Sequence, residues 1–178
     1  MATAANEIRD AVLATIASLG TLKTARVVPT FQWQPENMPA CSVYRMRCNR
    51  RVLGDVGAGE PSFEDHIVIG VSLWTRAKDE IELDAVTDIY VAQIEQVLLS
   101  SPVLLSLFEG VESLDWSTNY PTNASAYMAE TRLELTVQMS SIWPPFVPDD
   151  FRGADFTERP APAGEPTPPV TFRTNVTP

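Results

Sequence analysis

Histidine is the side chain best suited to proton transfer near neutral pH, and this chain contains only one, His66. Asp65 precedes it, but adjacent residues of a β-strand point to opposite faces of the sheet and cannot orient each other through a hydrogen bond. One histidine and two cysteines also leave too few ligands for a zinc site. We therefore predict a structural or surface role for His66 and no catalytic or metal-binding residue.

The two cysteines, Cys41 and Cys48, are predicted to lie on one strand and to point in opposite directions. We expect both to be reduced structural thiols. The glycine-rich stretch at 54–60, GDVGAGE, lacks the lysine of a phosphate-binding P-loop and is not followed by a helix. No cofactor is expected, and the absence of site chemistry argues against an enzyme.

The one basic cluster of the chain consists of Arg45, Arg47, Arg50 and Arg51. It falls on a predicted strand and on the start of the loop that follows. On a regular strand Arg45 and Arg47 share a face, so they would present a pair of guanidinium groups. The cluster is either a solvated flank of a hairpin or an edge that forms ion pairs with an acidic surface of a neighbouring subunit.

Three carboxylates, Glu80, Asp84 and Asp88, recur at every fourth residue of a predicted helix. That spacing stacks them on one helix face, where like charges destabilise an isolated helix by tenths of a kcal/mol. Three interpretations remain open. The carboxylates form a solvated face, hold a divalent cation, or meet a basic surface on a neighbour.

The overall charge restricts the partners of the chain. Its formal net charge of −10 and pI near 4.5 argue against nucleic-acid binding as the main function, because that affinity depends on lysine and arginine. Residues 1–20 lack the basic and apolar regions of a signal peptide, and no apolar run reaches the roughly 20 residues that span a bilayer. We expect a soluble cytosolic protein with no membrane partner.

The spacing of apolar residues predicts the elements that position these groups. Helices are predicted at 4–19 and 79–99, and strands at 25–31, 40–48, 66–75, 111–116 and 132–139. The apolar stripe of the second helix is predicted as Ile81, Ala85, Val86, Ile89, Ile94, Val97 and Leu98. The fold class is α+β: a mostly antiparallel mixed sheet of about five strands packed against two helices.

These elements together resemble the tail terminator, or tail completion, proteins of long-tailed bacteriophages. The resemblance covers residues 4–140. It lies in the helix IRDAVLATIASLG, the strand MPACSVYR, the strand HIVIGVSLW, the helix ELDAVTDIYVAQIEQVLL with the following SSPVLLSLFEGVESLDW, and the strand AETRLELTVQM. It is a resemblance of pattern, with no catalytic signature.

The resemblance implies a virion tail protein that is assembled in the host cytoplasm. Such a subunit forms a ring, usually a hexamer, that caps the tail tube, stops its polymerisation and presents a joining surface to the head-side neck. The implied partners are the tail tube protein and a neck or head-completion protein, with DNA passing through the lumen without specific binding. The alternatives are another neck or head-completion connector and a small ligand-binding or enzymatic α+β domain with a concave pocket.

The composition changes at Pro144, since nine of the fifteen prolines fall between there and Pro178. We predict two parts, a ring-forming α+β domain at 1–143 and an extended proline-rich arm at 144–178. Within the arm, PVTFRTNV at 169–176 shows strand-like alternation, with Val170, Phe172 and Thr174 on one side. We expect these three residues to contact a sheet edge of a neighbouring subunit or of another tail protein.

Overall fold

The computed structural model describes residues 4–27, 34–53, 62–121 and 127–142. Its elements are α1 (Ala4–Ala17), β1 (Thr24–Val27), a 3-10 turn (Pro35–Asn37), β2 (Ala40–Leu53), β3 (Ser62–Ala77), α2 (Glu80–Ser100), α3 (Pro102–Leu105), β4 (Gly110–Asn119) and β5 (Tyr127–Ile142). The arm and its residues Val170, Phe172 and Thr174 lie outside the described residues. The arm and the domain boundary at 143 therefore stay predictions.

The five strands form one mixed sheet in the order β1-β2-β3-β5-β4. Strand β1 is parallel to β2, and the other three pairings are antiparallel. Three helices accompany the sheet, and the shortest, α3, is a single turn. The predicted α+β class, with a mostly antiparallel sheet, is confirmed.

The central strand β3 is buried on both faces between Ile67 and Leu73, and one of these faces carries the main core. On β3, Ile67, Ile69 and Val71 are at most 1% exposed and pack in one cluster with Leu133 and Leu135 of β5. The helices supply the other side of this cluster, with Ile8, Val12 and Ile16 from α1 and Val91, Ile94 and Leu98 from α2. We call this side of the sheet the helix-side face, and the opposite side, which carries His66 and Gly70, the open face.

Helix α2 begins at a side-chain cap. Asp79, the first residue of the helix predicted at 79–99, is the N-cap residue, and its carboxylate accepts a hydrogen bond from the Glu82 backbone N–H at 2.8 Å. Such a cap satisfies a backbone N–H that the helix itself leaves unpaired. The Glu82 carboxylate in turn accepts from the Lys78 backbone N–H at 3.1 Å. The connection from β3 into α2 is thus held at two points.

The predicted apolar stripe of α2 was partly wrong. The buried residues are Leu83, Thr87, Val91, Ile94 and Leu98, whereas Ile81 and Ile89 are 85% and 56% exposed. Helical spacing allows both stripes, because α2 carries apolar residues on two faces. The inward face packs into the core through Val91, Ile94 and Leu98, and its Thr87 hydroxyl shares a buried hydrogen bond of 2.6 Å with the Thr75 hydroxyl.

Strand β2 contains a bulge that overturns two predictions. Arg45 lies opposite Ile69 and Arg47 lies opposite Val68, so Met46 is an extra residue in the pairing. Residues directly opposite each other in an antiparallel pair share a face, and successive residues of β3 alternate. Arg45 and Arg47 therefore lie on opposite faces and do not form a pair.

The same extra residue changes the orientation of the cysteines. Cys41 lies opposite Leu73 and Cys48 lies opposite Ile67, both on the helix-side face. The prediction that the two side chains point in opposite directions was wrong for this reason. Both thiols are free; Cys41 is buried and Cys48 exposed. Burial raises the pKa of Cys41 to about 12, which makes that thiol a poor nucleophile.

Candidate assembly surfaces

The basic cluster is divided between the two faces of β2. Arg47 and Arg51 lie opposite Val68 and Glu64 on the open face, whereas Arg45 lies on the helix-side face. These three arginines are exposed. None of them forms an ion pair with another residue of the described ranges. The strand also runs further than predicted, to Leu53, so Arg51 belongs to the sheet instead of to a loop.

Arg50 differs from its neighbours, because it belongs to an internal ion pair. Its guanidinium donates two hydrogen bonds to the Asp65 carboxylate, at 2.6 and 2.8 Å, and lies 5.2 Å from the centre of the Phe63 ring. The Ser141 hydroxyl donates to the same carboxylate at 2.9 Å. The hydrogen bond from Arg50 is the largest cause that lowers the pKa of Asp65. Arg50 is therefore engaged within its own chain.

The three carboxylates of α2 are exposed, and one of them has a partner. The Tyr120 hydroxyl, at the end of β4, donates a hydrogen bond to Asp84 at 2.6 Å. This bond, together with burial and the nearby charges of Asp84, Asp88 and Glu80, raises the pKa of Tyr120 to about 12. Glu80 and Asp88 have no ion-pair or hydrogen-bond partner of their own in the described part of the chain.

His66 lies on the open face in a polar cluster. We did not predict this cluster from the sequence. The Nδ1 of His66 is 2.6 Å from a Glu112 oxygen and its Nε2 is 3.3 Å from a Glu64 oxygen. The Gln138 amide donates to the other Glu64 oxygen at 2.5 Å. Glu64 and His66 are two residues apart on one strand, so the sequence indicates that they share a face. Glu112 reaches them from a second bulge, in β4, which the sequence does not reveal.

Metal binding has no support in the described ranges. No group of three or more His, Cys, Asp or Glu side chains within residues 4–27, 34–53, 62–121 and 127–142 has an arrangement that could hold a metal ion. The α2 carboxylates are among the side chains searched, so the geometry gives no support to their interpretation as a cation site. No helix described here is long and apolar enough to cross a membrane.

An open groove of about 1130 Å³ lies where β3 passes into α2 and β4 meets β5. Its charged lining consists of three basic and three acidic residues: Lys23, Arg76, Lys78, Glu36, Glu80 and Glu82. Its other lining residues include Met38, Leu83, Tyr120, Tyr127 and Met128. The carboxylate face of α2 thus borders a broad surface depression.

Comparison with known proteins finds similar chains among the solved structures. No family model matches the chain, and no curated protein matches it. A solved chain from the virion of a native gene transfer agent particle is similar, with a TM-score of 0.38 and 14% identity over 77% of this chain and 92% of that one. A TM-score of this size does not establish a shared fold.

Proposed function

We propose that this chain is a structural protein of a phage-like virion, and specifically a tail terminator that caps the tail tube as an oligomeric ring. The observation that carries this proposal is a pair of oppositely charged surfaces, without partners in the described residues, on different parts of one subunit. They are the open-face arginines of β2 and the carboxylates Glu80 and Asp88 of α2. A ring of identical subunits requires two different, complementary surfaces on each copy.

Two further observations support the same proposal. The α+β fold and its element order agree with what the resemblance to tail terminators implies for residues 4–140. The net charge of −10 suits a ring through which DNA passes without being held. The role proposed is structural instead of enzymatic.

The resemblance to tail terminators implies that the ring is a hexamer. In this role the ring stops polymerisation of the tube protein. It then presents its other side to a neck or head-completion protein. The subunits assemble in the host cytoplasm and remain in the virion tail.

The test combines a mass measurement with a deletion. Light scattering and electron microscopy of the purified protein, alone and with tail tubes, should show a ring of about six 19.6 kDa subunits. Particles that lack the chain should carry tubes of uncontrolled length. Tubes of normal length that fail to join heads would instead favour another neck or head-completion connector. A protein that stays monomeric even with tubes would refute the ring and favour a small ligand-binding domain at the groove.

A further inference from the structure

We propose that Arg47 and Arg51 on the open face of one subunit bind Glu80 and Asp88 on α2 of the next subunit. This inference rests on the proposed ring and names its contact. The sequence suggested a cluster of four arginines, and only two of them belong to the proposed contact. The β2 bulge places Arg45 on the helix-side face, and Arg50 forms an ion pair with Asp65.

The contact cannot form within one subunit. Helices α1 and α2 pack on the helix-side face, where their residues share a core with Ile67, Ile69 and Val71. Arg47 and Arg51 lie on the opposite face of the same sheet. A pairing between these arginines and α2 therefore joins two copies, with the sheet of one against the helix layer of the next.

The two charged pairs have matching separations. Arg47 and Arg51 are four residues apart on a strand, or roughly 13 Å at 3.3 Å per residue. Glu80 and Asp88 are eight residues apart on a helix, or roughly 12 Å at 1.5 Å per residue. Asp84 lies between them and already accepts from Tyr120. The two carboxylates left without partners in the described ranges are thus spaced like the two open-face arginines.

Each surface also carries exposed apolar side chains. Met46 and Leu53 flank the arginines on the open face and are each 45% exposed. Ile81 and Ile89 follow the two carboxylates on α2 and are 85% and 56% exposed. Burying such residues between copies contributes roughly 25 cal/mol per Å² of apolar area. Apolar burial supplies affinity, and the opposite charges fix which surfaces meet.

Charge reversal with a matched control tests the contact. Arg47→Glu with Arg51→Glu should weaken ring assembly at least tenfold, measured by light scattering and by occupancy of tube ends in electron microscopy. Glu80→Lys with Asp88→Lys should do the same. The matched control is Arg45→Glu, which changes the charge of the same strand on its other face and should leave assembly unchanged.

The combined variant is decisive because it restores the opposite signs with the original net charge. Carrying all four substitutions, it should recover most of the assembly lost in either double variant. Circular dichroism melts of every variant establish that each one folds. The inference is overturned if Arg47→Glu with Arg51→Glu assembles like the wild type, if Arg45→Glu is equally damaging, or if the combined variant recovers nothing. Wild-type protein that forms no ring would instead refute the proposed function itself.

Discussion

Thr75 at the end of β3 and Thr87 in α2 share a hydrogen bond of 2.6 Å between two hydroxyls that are at most 1% exposed. The Thr87 hydroxyl also donates to the Leu83 carbonyl at 2.8 Å. A hydroxyl has one proton to donate, so Thr75 must be the donor in the shared bond. This assignment makes the two threonines unequal.

Because Thr75 is the donor and Thr87 the acceptor, replacing each of them with valine should lower the free energy of unfolding by a different amount. Thr87→Val leaves the buried Thr75 donor without an acceptor and should lower the free energy of unfolding by about 2 kcal/mol. Thr75→Val removes only a bond that Thr87 accepts and should cost about 1 kcal/mol. The double variant should cost less than the sum of the two. Urea unfolding measures all three; equal costs, or a larger cost for Thr75→Val, would show that the donor assignment is wrong.

The ion pair of Arg50 and Asp65 should contribute to stability at the end of the β2–β3 hairpin. Asp65 is 2% exposed, while the Arg50 side chain is 41% exposed. Arg50→Met leaves a buried carboxylate without its charged partner and should cost about 2 kcal/mol, less than for a fully buried pair because water reaches Arg50. Arg45→Met is the control, since it removes a charge from the same strand without a partner, and it should cost under about 0.5 kcal/mol. Similar costs for both variants in urea unfolding would contradict the prediction.

The same pair predicts a pH dependence with a definite sign. The pKa of Asp65 is lowered from its ordinary value of 3.8, first by the hydrogen bond from Arg50. A carboxyl with a depressed pKa in the folded state contributes stability above its unfolded pKa and loses it as the pH falls through the folded value. Below about pH 4 the free energy of unfolding should therefore fall less steeply in Asp65→Asn than in the wild type. Urea unfolding over a series of pH values measures this slope, and equal slopes in the two proteins would contradict the prediction.

Much of the fold was predictable, because a strand face that packs on the core carries apolar residues at every second position. The alternating Ile67, Ile69 and Val71 indicated the strand at 66–75, and all three residues are at most 1% exposed. The α2 stripe was less predictable. Local spacing permits either of two apolar faces there, and the choice depends on the core residues of other elements, against which Val91, Ile94 and Leu98 pack.

The candidate surfaces were predictable only in part. The sequence shows where charged residues cluster, but the pairing of the strands decides on which face of the sheet each residue lies. The single extra residue Met46 shifts the register against β3. It therefore reverses every orientation beyond Arg45, including that of Cys48. The Arg50–Asp65 bond likewise depends on which residues of β2 and β3 lie opposite each other. A long-range pairing of this kind is not contained in the local pattern of either strand.

Gly70 on β3 should resist substitution because the Tyr44 ring lies over it. A Cβ added at Gly70 would lie 2.7 Å from two Tyr44 ring carbons and 2.9 Å from the Met46 sulfur. Gly70→Ala should therefore cost about 1 to 2 kcal/mol in urea unfolding, and less in a Tyr44→Ala background. Gly110→Ala is the control, because nothing lies within 4 Å of its added Cβ. An equal cost at both glycines would rule out the ring contact as the cause.

Tyr120 should titrate at a higher pH than a free tyrosine, because its hydroxyl donates a hydrogen bond to Asp84 and because the carboxylates of α2 oppose its negative charge. The hydrogen bond to Asp84 is the largest cause that raises its pKa to about 12, and the Asp88 charge contributes less. Asp84→Asn should lower the pKa of Tyr120 more than Asp88→Asn does. Ultraviolet titration of each protein, compared with the same protein carrying Tyr120→Phe, isolates this one phenol. A Tyr120 that titrates near 10 in the wild type, or one that Asp84→Asn leaves unchanged, would show that the bond to Asp84 does not hold in solution.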